Sequence, residues 1–269
     1  MAPDDPAAGP SPSEAASPSI SPTTGPSPSP STKTEAAPDP PPDGACYRLS
    51  FAQATEPTNR SRPVPCGRRH DAQTIFVGRL DTRAAGRRVA FDSRHVQRQL
   101  ARVCPRRLAA RLGGTAQARE LSRYEVVWFS PTVAETQLGA RWFRCDAVAL
   151  AAAETLAVLP PPNRLRGILE TESGRSAYGL CGTAAPGAGD FERVICSRSH
   201  SWRALATIPM RGGRKYPGVR SVRRAGGMPC TDRAREHADD PLTFEYGWEW
   251  PTREQWRVGQ RFGYCWVPD

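Results

Sequence analysis

The chain has 269 residues, 38% of them hydrophobic, with 28 prolines, eight cysteines and a formal net charge of +10. That length suits one or two small cored domains, and no stretch reaches the ~18 apolar residues needed for a membrane-crossing helix. Lys33 and Lys215 are the only lysines, so arginine carries the positive charge. The runs Arg87-Arg88, Arg102 to Arg111 and Arg211 to Arg224 lack the interleaved aromatics of a single-strand groove. No helix-turn-helix or zinc-finger spacing is present either, which argues against a nucleic-acid partner. An anionic wall polymer or anionic lipid head groups fit the charge better.

Residues 1–43 hold 13 of the 28 prolines and no aromatic residue, and their net charge is −5. Such a segment cannot bury enough apolar surface to offset its chain entropy, so a disordered stalk or linker is expected. The remaining residues, 44–269, then carry +15, the difference between +10 and −5.

From there the chain reads as two passes along one path. ACYRLSF alternates and predicts a strand; AQTIFVGRL predicts a second and stronger one. Asp92 to Leu112 has helical spacing of Val96, Leu100, Val103, Leu108 and Leu112, with a kink expected at Pro105 and a stop at Gly113-Gly114. YEVVWF predicts a strand. Ser130-Pro131 predicts the N-cap and first position of a short helix, and ARWFRCDAVAL a closing strand. Residues 151–177 read as a connector in which LRGILE adds a strand. The second pass predicts strands at RVIC, RALATIPM, LTFEYGW and QRFGYCWV, a partial helix over Val219 to Glu236, and a short helix over Pro251 to Trp256.

The two passes align residue by residue. Val64, Cys66, Arg68 and His70 fall on Val194, Cys196, Arg198 and His200 without a gap. WFSPTVAETQLGARWFRC falls on WEWPTREQWRVGQRFGYC, which matches Trp128 to Trp248, Pro131 to Pro251 and Cys145 to Cys265. Gene duplication is the simplest source of this agreement. The expected units are 44–150 and 178–269, each an α+β fold with a small, mainly antiparallel sheet and one longer helix.

Four cysteines in each unit allow three pairings. The favoured set is Cys46–Cys66 and Cys104–Cys145, then Cys181–Cys196 and Cys230–Cys265. Every cysteine stands at least 14 residues from its neighbours, whereas structural zinc sites bring ligands in as close pairs. Neither a metal nor another cofactor is therefore expected. His70 and His200, with Arg68 and Arg198 beside them, are the candidate binding residues. Pairing the cysteines removes every thiol nucleophile, and no catalytic residue set emerges.

The order Cys, V-x-C-x3-H before a strand, a third Cys on a helix, then P-x7-G-x-R-x3-C resembles the actinobacterial septum formation-related domain family. Here those residues are Val64 to His70, Cys104 and Pro131 to Cys145, then Val194 to His200, Cys230 and Pro251 to Cys265. The resemblance implies a non-enzymatic, membrane-tethered, extracytoplasmic domain of septation or the cell envelope. It further implies a partner among wall polymers, lipid head groups or divisome and envelope proteins. The cysteines point to an oxidising compartment and the Pro/Ser/Thr-rich acidic tail reads as a stalk, so an export or anchoring segment upstream of Met1 is expected. Alternatives are a cell-wall hydrolase using His70 or His200, and a metal-dependent polyanion or nucleic-acid binder.

Overall fold

A computed structural model describes residues 36–269. The stalk expected over 1–43 lies outside the described residues up to position 35. Its last part is not free: Ala37, Pro38 and Pro40 line a cavity with Gly139, Arg141 and Trp142.

The first half runs β1 (Cys46–Tyr47), α1 (Phe51–Thr55), β2 (Ala72–Arg79), a small hairpin of β3 (Arg83–Ala84) and β4 (Arg87–Arg88), then α2 (Arg94–Leu112). It continues with α3 (Ala116–Glu120), β5 (Tyr124–Phe129), α4 (Val133–Gln137), β6 (Trp142–Ala152) and β7 (Thr155–Leu156). A helical link follows, with α5 (Pro162–Leu165), a 3-10 turn at Ile168–Glu170 and α6 (Glu172–Ala177). The second half has β8 (Leu180–Gly182), β9 (Arg193–Ile195), β10 (Trp202–Pro209), α7 (Val219–His237), β11 (Gly247–Glu249), α8 (Arg253–Arg257) and β12 (Phe262–Pro268). The fold is α+β with antiparallel sheets. One sheet is ordered β1-β2-β6-β5 with β7 added beside β6, and the other β11-β12-β10-β8-β9.

The alternation along β6 separates two environments, because successive side chains of a strand point to opposite faces. Phe143, Cys145, Ala147 and Ala149 pack with Val96, Leu100 and Cys104 of α2. Val148 packs on the other face with Tyr47, Leu49, Ala54 and Phe129. Covering both faces of β6 explains why it reads as a long apolar run.

The two halves agree in register as well as in sequence. Phe76 stands opposite Cys145, and Ala206 opposite Cys265. Trp128 also faces Cys145, as Trp248 faces Cys265. Cys46 pairs with Gln73, and Cys181 with Arg203. Each central pair carries a register shift at the same place, between Thr74 and Phe76 in one half and Ala204 and Ala206 in the other. A one-residue slip would turn every side chain to the wrong face, so four coincident registers mark one fold used twice. The halves are joined by an isolated bridge between Ser122 and Gly179 and by the stacked rings of Tyr124 and Tyr178, 4.7 Å apart.

Several local expectations are corrected. ACYRLSF yields only a two-residue strand, because Ser50 and Gln53 form a capping box that starts α1. Pro105 does not split α2. The carbonyl that loses its partner belongs to Ala101, and both residues lie on the exposed side of the helix, so the group is not buried without a partner. Likewise α7 is continuous through Pro229. The short helices are capped by Thr132 and Thr252, not at Ser130, and each threonine forms a capping box with Glu135 or Gln255. LRGILE is helical rather than a strand, since Leu165, Ile168 and Leu169 turn into the α2 core. LTFEYGW reaches strand geometry only from Gly247. Leu242 there is 94% exposed, so nothing holds the earlier residues against the sheet.

Candidate functional site

Four disulfides join Cys46 to Cys66, Cys104 to Cys145, Cys181 to Cys196 and Cys230 to Cys265, and no described cysteine is free. The second and fourth pin α2 to β6 and α7 to β12. The first and third tie β1 and β8 to the turns that carry the histidines. Closing loops of 41 and 35 residues restricts the unfolded chain enough to stabilise the fold by about 4 kcal/mol each in the loop-entropy account.

Each histidine closes its own turn. His70 Nδ1 lies 2.8 Å from the Arg68 carbonyl oxygen and His200 Nδ1 lies 2.6 Å from that of Arg198. The backbone beneath repeats too: Arg68 N–H donates to the Pro65 carbonyl and Arg198 N–H to that of Ile195. Arg68 and Arg198 thus serve through their carbonyls, and their side chains are exposed. His70 is 1% exposed and its Nε2 has no partner among the described residues. His200 Nε2 meets Asp269 Oδ2 at 2.6 Å, and the Arg203 fork holds the same carboxylate at 2.8 and 2.9 Å. The Arg203 hydrogen bonds, with His200, hold the Asp269 carboxyl below the usual carboxylate range against the opposing effect of burial.

Both nitrogens of His200 face acceptors, so only the doubly protonated ring donates to both. In that form it has no lone pair for general-base work. The neighbouring hydroxyl of Ser201 donates to the Thr183 carbonyl at 2.7 Å instead of to the ring. Among the described residues Cys181, His200 and Asp269 form a group with metal-ligand spacing. Cys181 is spent in its disulfide, though, so it offers no thiolate. His70 and His200 share no hydrogen bond or ion pair.

A buried ion pair sits beneath the first sheet. Arg144 Nε lies 3.2 Å from Asp146 Oδ2, off the hydrogen-bonding angle, with side chains 2% and 0% exposed. The Arg144 guanidinium is held between the rings of Tyr47 and Phe129, at 3.9 and 4.6 Å. Its free end donates to Asn59 Oδ1, while Thr74 donates to Asp146 Oδ1 at 2.8 Å. Burial outweighs the attraction of Arg144 and pushes the Asp146 carboxyl up to about 6. This network has no sequence signature in the repeat, because Tyr264 and Trp266 occupy the matching positions of β12.

The most concentrated surface chemistry is a groove of about 610 Å³ between α2 and strands β2 and β6. Arg79 lines one side and Arg98, Arg102 and Arg107 the other, over a floor of Phe76 and Phe143. The rings meet edge to face, 5.7 Å apart, and Arg107 lies 3.9 Å over Phe76. Gly78 is required there, since a Cβ would stand 2.6–2.7 Å from both rings. Arg102 and Arg107 belong to a run visible in the sequence; Arg79, Arg98 and the aromatic floor were missed. The signal available was Arg98 and Arg102 four apart on one helical face. A second cavity, about 420 Å³ at the seam of the halves, is lined by Arg119, Arg123 and Arg193 together with Glu120 and Glu125, so its charges are largely balanced.

These features define an internally repeated α+β domain cross-linked by disulfides. The family model described as septum formation matches residues 43–265, and the chain belongs to that family. No curated protein and no solved structure matches it. Among the described residues no helix is long and apolar enough to cross a membrane.

Proposed function

We propose that the chain is a non-enzymatic, extracytoplasmic module of septum formation that acts by binding an anionic component of the cell envelope. The observation that carries the reading is the use of all eight cysteines in disulfides, which are maintained in oxidising compartments and are rare where thiols are kept reduced. The hydrogen bonds that tie His70 and His200 into their own turns favour a structural use of both rings over a catalytic one. The excess of arginine supports an anionic partner, a wall polymer or a lipid head group.

An epitope-tagged chain followed in dividing cells tests this. The expected result is signal concentrated at the septum and removed by protease added outside the cytoplasmic membrane. Uniform, protease-protected signal contradicts it. A His70→Ala, His200→Ala chain that still supports septation agrees with a non-enzymatic role; a purified chain that degrades isolated wall in a manner dependent on either histidine favours the hydrolase instead.

A further inference from the structure

We infer that the groove between α2 and strands β2 and β6 is a binding site for a soluble phosphate-ester chain. This deepens the reading above and rests on it only in taking the protein to act by binding. Arg79, Arg98, Arg102 and Arg107 line one concavity, and none of them makes an ion pair among the described residues. No carboxylate lines the groove among the described residues, and Asp81 lies 3.8 Å from His95 on the rim. Uncompensated cations gathered in a recess focus a positive potential there, and a bound anion relieves their mutual repulsion.

The second half of the molecule is an internal control for arginine-rich composition. Aligned on the shared cysteines, Arg79, Arg98, Arg102 and Arg107 become Pro209, Arg224, Met228 and Arg233. Arg233 is paired with Glu236 at 3.5 Å. Helix α2 carries six arginines and no acid, whereas α7 carries five with Asp232 and Glu236. A bias in composition acts on both halves alike, and the central strands keep the same register in both. The concentration in the first half therefore has a local cause.

The shape narrows the ligand. Arg98 and Arg102 stand one turn apart, about 6 Å along α2, and Arg79 approaches from the strand side. Donors on two sides suit a tetrahedral phosphate, which has oxygens in every direction, better than a planar carboxylate. The apolar floor accepts the carbon backbone between successive phosphates and keeps water from the guanidinium groups. A membrane surface fits less well. None of the exposed large apolar side chains, Met228 and Leu242 among them, lines the groove to insert into lipid.

Calorimetric titration with soluble poly(glycerol phosphate), a phosphodiester chain with carbon between its phosphates, tests the site. The arms are the unaltered chain, the Arg98→Gln, Arg102→Gln variant, and an Arg220→Gln, Arg224→Gln variant that removes equal charge from α7. All four side chains are exposed, and matched melting temperatures check that each variant folds. The expected result is a loss of tenfold or more in affinity for the first variant, and less than twofold for the second. Equal losses in both would show a response to net charge alone and overturn the site, as would no binding by the unaltered chain. Tighter binding to phosphatidylglycerol vesicles than to poly(glycerol phosphate), or equal affinity for polyglutamate, would overturn the ligand class. Intact poly(glycerol phosphate) binding with no septal signal would instead sink the proposed function and leave the site standing.

Discussion

The indole of Trp248 lies directly over Gly226, so that a Cβ at position 226 would overlap the ring. In the first half the matching positions are Trp128 and Leu100, where a leucine fills the space and the tryptophan is half-buried beside it. Gly263, where the first half has Phe143, opens the other side for the same indole. The two halves thus fill one backbone framework with different partners. In the second, Trp248 is further fixed by a hydrogen bond from its Nε1 to the Val222 carbonyl.

Alanine at two adjacent glycines of α7 should therefore have opposite effects. Nothing lies within 4 Å of a Cβ at Gly227, so Gly227→Ala should stabilise by roughly 0.5–1 kcal/mol through helix propensity. Gly226→Ala should instead destabilise by about 2 kcal/mol or more, from overpacking against Trp248. Urea unfolding of the two variants measures the sign, and stabilisation by both would contradict the packing described.

The buried Asp146 should give the fold an unusual pH dependence. Its folded carboxyl is raised to about 6, above the usual carboxylate value near 3.8, so between those values the folded chain holds a proton that the unfolded chain has released. Its contribution is complete below about pH 3.8 and is lost as pH rises through 6, by about 3 kcal/mol in total. Asp146→Asn keeps the neutral shape and removes the titration. The difference between the two stability curves should fall over that window; a flat difference would show that Arg144 keeps Asp146 charged throughout.

The equivalent histidines should differ in structural weight. His70→Ala opens a buried site and removes the partner of the Arg68 carbonyl, and should cost about 2–4 kcal/mol. His200 is part of a surface pair with Asp269, and His200→Ala should cost about 1 kcal/mol or less. Thermal unfolding ranks them, and a reversed order would contradict the turn geometry.

Strands β2, β5, β6, β10 and β12 were legible from their alternating or continuous apolar runs, and the duplicated spacing around Cys66 and Cys196 marked the two halves as passes along one path. Strand pairing and register came only with the structure. The helix starts at Ser50 and Thr132 were misread where a hydroxyl cap three residues before Gln53 or Glu135 outweighed alternation or a Ser-Pro step. Tertiary burial of Ile168 and Leu169 decided the connector, which local propensity could not. The turn histidines were visible by repetition. The Phe76–Phe143 floor was not, since only pairing of β2 with β6 brings its rings together. Nor was the Arg144–Asp146 pair, which shares β6 but is completed by Tyr47, Asn59, Thr74 and Phe129 from distant segments.

Thiol titration of the chain isolated from its native cells, denatured without reductant, tests the central reading most directly. The expected result is no reactive thiol per chain, with all eight cysteines held in the four bridges. Eight reactive thiols on a folded chain would place it in a reducing compartment and contradict the account.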